Sequence, residues 1–377
     1  MRKLLPILAS AALALSAAAP ALAYETKAKQ ALMIDFDTGT VLFEKNADEV
    51  MYPASMTKIM TSYLLFEEIR QGRLKLDDQL PVSEKAWRMG GSKMFVGIGN
   101  RVPVEALIRG IVVQSGNDSS VVVAEAISGS EEAFAEKMTA KAREMGLKVT
   151  TFRNATGWPD PEHVTTSREL AELSRRVIAD DIDFYHYYAE KEFVWNNIRQ
   201  GNRNPLVYKD MHCDGLKTGH TEHSGYGLVA SCMRDGRRLI LVLNGMASMQ
   251  ERATESEKLI EWGFREFGNY ALFRKGAEVE TAEVWLGRAP NVGLVLDKDL
   301  VVTLPRRARQ QLKVTVRYDG PVPAPIAAGQ PIARLVLTAP DMAPTERPLY
   351  AASAIEGLDF FGRIETAVSY LVWGPGG

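Results

Sequence analysis

The chain has 377 residues, 46% apolar and 24% charged, and a formal net charge of −2. That length accommodates two or three domains, and the composition is that of an ordinary globular protein. A near-neutral balance leaves no electrostatic footprint for a polyanion, which argues against nucleic acid as a partner.

The first segment reads as a targeting signal. A basic start, "MRKLL", precedes the small and apolar run "PILASAALALSAAAP", and "ALA" at 21–23 is an A-x-A cleavage site. Residues 1–23 are therefore expected to be a secretory signal peptide cut between Ala23 and Tyr24, with a retained anchor as the alternative that the A-x-A disfavours. No later run reaches the ~18 apolar residues that span a bilayer.

"ALMIDF" and "TVLFEK" are expected to form two strands around a turn at Asp37 and Gly39. After Tyr52-Pro53 a long helix is predicted, with Ile59, Tyr63, Phe66 and Ile69 at helical spacing and Gly72 as its stop. From 103 to 150 the pattern stays helical, broken at "QSGN" and again before "SEEAFAEKMTAKAREMGL". Thr166 and Glu169 have the spacing of a capping box.

The strand signal returns with "GYGLVASCM-RDG-RRLILVLNG", a hairpin turning at Asp235-Gly236, and "DGLKTGH" just before it would pair as a third antiparallel strand. "ERATESEKLIEWGFREFG" then closes a first domain at Gly268. A hairpin, several helices, three strands and a helix describe an α+β domain over 24–268, an antiparallel sheet with helices packed on it. Residues 269–353 alternate short β-rich runs with Pro and Gly, as a small all-β domain does. Residues 354–377 form a short amphipathic tail. Phe361, Ile364, Val368 and Leu371 make a helical stripe that could lie in a membrane interface or dock on the protein itself. Cys213 and Cys232 are too few for a disulfide scaffold. They are expected to be two small buried core residues, with a single bridge as the other option.

Three short motifs carry chemistry. Ser55 and Lys58 stand three apart at the start of the first long helix, which puts them on one face and in hydrogen-bond reach. A serine hydroxyl becomes a nucleophile when a base takes its proton, and a lysine can be that base only when burial or a cationic neighbour keeps it neutral. A cap serine beside a surface lysine is the alternative. "SGN" at 115–117 interrupts two helical runs, where Ser115 could carry a proton and Asn117 could orient a peptide bond, or where all three could serve the turn alone. "KTG" at 217–219 lies on a strand. Lys217 offers a charge and Thr218 a hydroxyl, and Gly219 is expected to let a substrate approach the strand edge. S-x-x-K, S-x-N and K-T-G in that order, each in its expected setting, form the signature set of penicillin-binding proteins and class A β-lactamases.

On these motifs, and on "ASMTKIMTSYLL", "QSGND", "IRQGNRN", "DGLKTGHT", "ESEKLIEWGFR" and "FFGRIETAVSYLVW", the chain resembles the low-molecular-mass penicillin-binding proteins that are D-alanyl-D-alanine carboxypeptidases. The resemblance implies a β-lactamase/transpeptidase-like domain. It implies removal of the terminal D-alanine from peptidoglycan pentapeptide stems through an acyl-serine, with no cofactor and with β-lactams as acylating inhibitors. It implies Ser55 as nucleophile, Lys58 as base, Ser115 and Lys217 as the proton relay and Asn117 as a clamp on the acyl-peptide. The N–H groups of Ser55 and His220 would make the oxyanion hole. Arg252 and Arg203 would suit a terminal carboxylate, or else make surface or interdomain ion pairs. The resemblance also implies a periplasmic protein whose tail attaches to the outer face of the inner membrane, although this tail is more acidic than a surface-seeking helix usually is. A β-lactamase or D,D-endopeptidase of the same fold is the nearest alternative. A catalytically silent cell-wall-binding or β-lactam-sensing module is the alternative from another class. His212, Cys213, His220 and His223 lie close enough in sequence to raise a metal site, but strand alternation sends neighbouring side chains to opposite faces.

Overall fold

The structure, a computed structural model, describes residues 24–340 and 343–364. Residues 1–23, expected to be a signal peptide, lie outside the described residues.

Strand β1 (Gln30–Asp35) and β2 (Val41–Lys45) form the predicted hairpin. A single 3-10 turn over Ala54–Thr57 leads into α1 (Lys58–Arg70), so Ser55 stands one turn ahead of the α-helix. A minor ribbon of β3 (Gln79–Pro81) and β4 (Arg101–Pro103) encloses α2 (Glu84–Arg88). Helices α3 (Val104–Val112), α4 (Asn117–Ser128) and α5 (Glu131–Glu144) follow. Next come α6 (Ser167–Asp180) and the short α7 (Ile182–Tyr185). Thr166 caps α6 by accepting from the Glu169 N–H. The Glu169 carboxylate, however, does not return to the cap. It accepts from Val149 N, Thr150 N and Thr150 Oγ1 instead, so the capping-box reading holds in one direction only.

A small ribbon of β5 (Glu192–Trp195) and β6 (Ile198–Gly201) precedes the main strands β7 (Cys213–Thr221), β8 (Gly225–Arg234) and β9 (Arg237–Met246). The five-stranded antiparallel sheet runs β2-β1-β9-β8-β7, which leaves β7 as an edge. Both faces of the sheet are covered. Leu32, Ile34, Leu216, Val229, Ile240 and Val242 point into the core shared with the helical cluster. Their alternating neighbours, among them Met33, Leu228, Leu239, Leu241 and Leu243, pack against Leu259 and Ile260 of α8 (Met249–Glu266). This two-sided burial is why β9 reads as an unbroken apolar run. Helix α1 sits in the centre of the helical cluster and is buried on every side from Lys58 to Phe66, as a helix apolar all round is.

Helix α8 passes without a loop into β10 (Phe267–Phe273), so Gly268 lies in a strand and not at a helix stop. Strands β11 (Glu278–Trp285), β12 (Asn291–Val295), β13 (Leu300–Pro305), β14 (Lys313–Arg317), β15 (Val322–Pro323), β16 (Pro331–Thr338) and β17 (Thr345–Ala351) complete an all-β domain. Strand β10 pairs with β13, and the remaining strands form a six-stranded sheet over a separate apolar core. Residues 360–364 begin a helix on which Phe360 and Phe361 are 71% and 80% exposed; Val368 and Leu371 of the predicted stripe lie outside the described residues. Among the described residues no helix is long and apolar enough to cross a membrane.

The sheet corrects one sequence expectation. Cys213 and Cys232 face each other across β7 and β8 and form a disulfide. The sequence gives no sign that these two positions share a ladder rung, because that depends on the strand register. The bridge also removes Cys213 from any metal-ligand set, and among the described residues no three His, Cys, Asp or Glu side chains cluster to hold an ion.

Candidate active site

The 3-10 turn presents Ser55 and lets α1 begin at Lys58, whose side chain is fully buried. The Lys58 amine donates to Ser55 Oγ at 3.1 Å, to Asn117 Oδ1 at 2.7 Å and to the carbonyl oxygen of Thr156 at 2.6 Å. Burial pushes its pKa down to about 7, against the pull of the Asp118 and Glu131 carboxylates, which favour the charged form. At neutral pH a large fraction of this amine is therefore unprotonated and within reach of the serine proton.

The loop between α3 and α4 brings in Ser115 and Asn117. Ser115 is buried and has φ 69°, a left-handed backbone that costs a non-glycine residue about 1–3 kcal/mol unless its surroundings impose it. They do so here through the hydrogen bonds from Gly116 N to the Gly110 carbonyl and from Asn117 N to the Ser92 carbonyl. Asn117 spends its amide on the protein as well as lining the cavity. Its Oδ1 accepts from Lys58, and its Nδ2 donates to the Gly90 carbonyl at 2.8 Å. Asp118 is fully buried and accepts the N–H groups of Met94, Phe95, Val96 and Ser119, which fixes the 89–96 loop beside the site.

Strand β7 forms the opposite wall. Lys217 is buried, its amine donates to the Thr218 carbonyl at 3.2 Å, and burial followed by the charges of Lys58, Arg203 and Arg252 holds its pKa well below the ordinary lysine value. Thr218 is buried beside it, and His220 is exposed and lines the cavity. Gly219 has a different task from the one its sequence context suggested. A Cβ there would lie 2.7 Å from the Pro53 carbonyl oxygen and 3.2 Å from Met56 Cγ. Its missing side chain lets β7 pack against the turn that carries Ser55; the close approach is made by the protein itself. The strand is anchored by the disulfide, by Asn204 Nδ2 donating to the Gly215 carbonyl, and by Arg238 and Tyr185 on the Asp214 carboxylate.

Arg252 projects from the first turns of α8 and is 7% exposed. Burial and the nearby Arg203 lower its pKa to about 10. Arg203 itself is exposed, held by its backbone N–H to the Val113 carbonyl. Neither arginine makes the surface or interdomain ion pair that was its alternative among the described residues; Lys217, Arg203 and Arg252 form a cationic group instead.

The cavity over Ser55 measures about 670 Å³ and is also lined by Gly91, Ser92, Asn117, Trp158 and His220. Several of its supports were missed in the sequence. Gly157 has φ +81°, and a Cβ on it would meet the Ala54 carbonyl oxygen at 1.8 Å, so only glycine lets the 154–158 loop bring Thr156 onto Lys58. His163 donates from Nε2 to Thr57 Oγ1, with Nδ1 accepting from Arg153 N; its burial lowers its pKa to about 4 and keeps it neutral. The "NATGWP" run looks like any turn-forming loop, and its contact with Lys58 joins residues nearly a hundred positions apart.

Residues 14–247 match the D-alanyl-D-alanine carboxypeptidase family. The chain belongs to that family. Residues 267–357 match the C-terminal domain of penicillin-binding protein 5. The carboxypeptidase is 37% identical over 341 residues to D-alanyl-D-alanine carboxypeptidase DacC of Escherichia coli strain K12, covering 88% of this chain and 85% of that one. It superposes on penicillin-binding protein 5 from Haemophilus influenzae with a TM-score of 0.81 at 34% identity, covering 88% of this chain and 98% of the other. Penicillin-binding protein D2 from Listeria monocytogenes, solved in its ampicillin-bound form, matches with a TM-score of 0.59 at 26% identity over 64% of this chain and 98% of the other. The protein is a serine-type D-Ala-D-Ala carboxypeptidase of the cell-wall hydrolases, with an α+β penicillin-binding domain and an all-β C-terminal domain; nothing in these comparisons favours the β-lactamase, endopeptidase or non-catalytic readings.

Proposed function

We propose that Ser55 attacks the carbonyl carbon of the penultimate D-alanine in a peptidoglycan pentapeptide stem, while Lys58 accepts the serine proton. The observation that carries this reading is the fully buried Lys58 amine 3.1 Å from Ser55 Oγ, with a pKa brought down to about 7. The Ser55 and His220 N–H groups stabilise the oxyanion as the tetrahedral carbon forms. On its collapse the C–N bond breaks, and the departing D-alanine amine takes a proton delivered through Ser115 and Lys217, leaving an ester on Ser55. Water then cleaves the ester and returns the serine. Asn117 keeps Lys58 in place and faces the acyl-peptide. The terminal carboxylate of the stem supplies the negative charge that the group formed by Lys217, Arg203 and Arg252 does not find among the described residues.

A β-lactam presents an acyl carbon and a carboxylate to the same groups and acylates Ser55. The N-terminal signal supports export to the periplasm, and the exposed Phe360 and Phe361 support a tail that rests on the outer face of the inner membrane.

The test is an intact-mass spectrum after incubation with benzylpenicillin. One added acyl group is expected on the protein and none on Ser55→Ala, which should also release D-alanine from a D-Ala-D-Ala peptide at least about 10³-fold more slowly. Stoichiometric labelling of the alanine variant would overturn the assignment.

A further inference from the structure

Tyr226, near the start of β8, stands directly across the ladder from His220. The two rings stack with centroids 3.8 Å apart and planes 27° from parallel. The guanidinium carbon of Arg252 lies 5.8 Å from the centroid of the same ring. One aromatic ring thus touches the residue whose N–H is assigned to the oxyanion and also the arginine assigned to the terminal carboxylate.

The state of Arg252 gives this contact its meaning. The residue is buried, its Nε has no hydrogen-bond partner among the described residues, and the groups that act on its charge are Tyr226 and Arg203. A buried cation without a counter-charge is costly. An aspartate or glutamate beside it would relieve that cost, but it would also occupy the N–H donors that a substrate carboxylate needs. The face of an aromatic ring holds a guanidinium through its quadrupole and leaves the donors free.

We propose that Tyr226 is a positioning residue that clamps Arg252 and His220 in one fixed relation, so that binding of the substrate's terminal carboxylate places the scissile carbonyl under the oxyanion donors. The inference rests on the reading of Arg252 as the carboxylate site. The ring face, and not the Tyr226 hydroxyl, makes both contacts.

The experiment measures kcat and KM on the full chain with two matched peptides, one ending in D-Ala-D-Ala with a free carboxylate and one ending in the corresponding amide. Wild type is expected to prefer the acid by about tenfold or more in kcat/KM, the scale of a charge-assisted contact. Tyr226→Leu should raise KM for the acid by about tenfold and move the amide by less than about threefold. Tyr226→Phe should restore the wild-type preference. Melting curves confirm folding, and Tyr226→Met replaces the leucine variant if that one unfolds. Equal losses on both peptides, an unchanged preference in Tyr226→Leu, or failure of the phenylalanine to restore it would each overturn the proposal. Arg252→Gln on the same peptides separates the two readings. If it abolishes the preference while Tyr226→Leu keeps it, the clamp alone falls. If wild type shows no preference, or Arg252→Gln retains it, the carboxylate assignment falls and takes the clamp with it.

Discussion

Lys58 gathers the physical requirements of this enzyme into one side chain. An ammonium removed from water loses several kcal/mol of hydration, and the pKa falls until the neutral amine is accessible. The Asp118 and Glu131 carboxylates oppose that fall and keep the value near 7 instead of far lower. The base form of Lys58 exists above its pKa, so the rate of acylation by a penicillin should rise as pH increases through about 7 and level off above it. Asp118→Asn removes a charge that favours the ammonium, so the midpoint of that profile should move to lower pH. Stopped-flow acylation rates from pH 5 to 9, beside melting curves of both proteins, check this. A flat wild-type profile, or a midpoint in the variant that stays or rises, would contradict it. The pairing of Ser55 with Lys58 was readable from spacing. The neutrality of the lysine was not, because it depends on walls contributed by α4, α5 and the 154–158 loop.

At the scale of elements, the site is a joint between the turn before α1 and the edge strand β7. The joint closes because Gly219 carries no side chain toward Pro53 and Met56. Gly219→Ala should push the strand away from Ser55, lower the acylation rate by about tenfold or more and cost roughly 1–3 kcal/mol of stability through overpacking. Fluorescent-penicillin labelling kinetics and thermal melting measure both effects. Normal labelling with an unchanged melting temperature would show that the joint has slack. The hairpin of β8 and β9 was legible because Asp235-Gly236 marks the turn and the flanking runs are long and β-rich. The existence of α1 was legible from its apolar spacing, but its central place was not, because every face from Lys58 to Phe66 is buried and the spacing does not name a single face. The same limit applied to Cys213 and Cys232, since a bridge requires opposition across a ladder and not only proximity in sequence.

Over the whole molecule, the two domains keep separate cores and meet through polar contacts. Thr38 bonds to Thr303, Asn269 to the Asp35 carboxylate, and Arg237, held by Asp35 within the first domain, donates to the Phe267 carbonyl. Residues 354–358, assigned to the tail by the sequence, belong to the second domain: Ile355 lies in its core and pairs with Ile326, and Leu358 N donates to the Leu286 carbonyl. A chain ending at Asp359 keeps these contacts and should therefore turn over a soluble D-Ala-D-Ala peptide within about twofold of the full chain, while losing co-sedimentation with anionic vesicles. Continued sedimentation of the truncated chain, or none by the full chain, would remove the anchoring role. The sequence by itself determined the α+β plan and singled out Ser55, Lys58 and Lys217, because each rests on short-range spacing and local turn chemistry. Tertiary structure alone decided that Lys58 is buried, that Gly219 and Gly157 serve internal closeness, that the cysteines bridge and that Arg252 lies against the Tyr226 ring. Those facts follow from which distant segments share a surface, and burial, register and electrostatic environment have no value until the chain is packed.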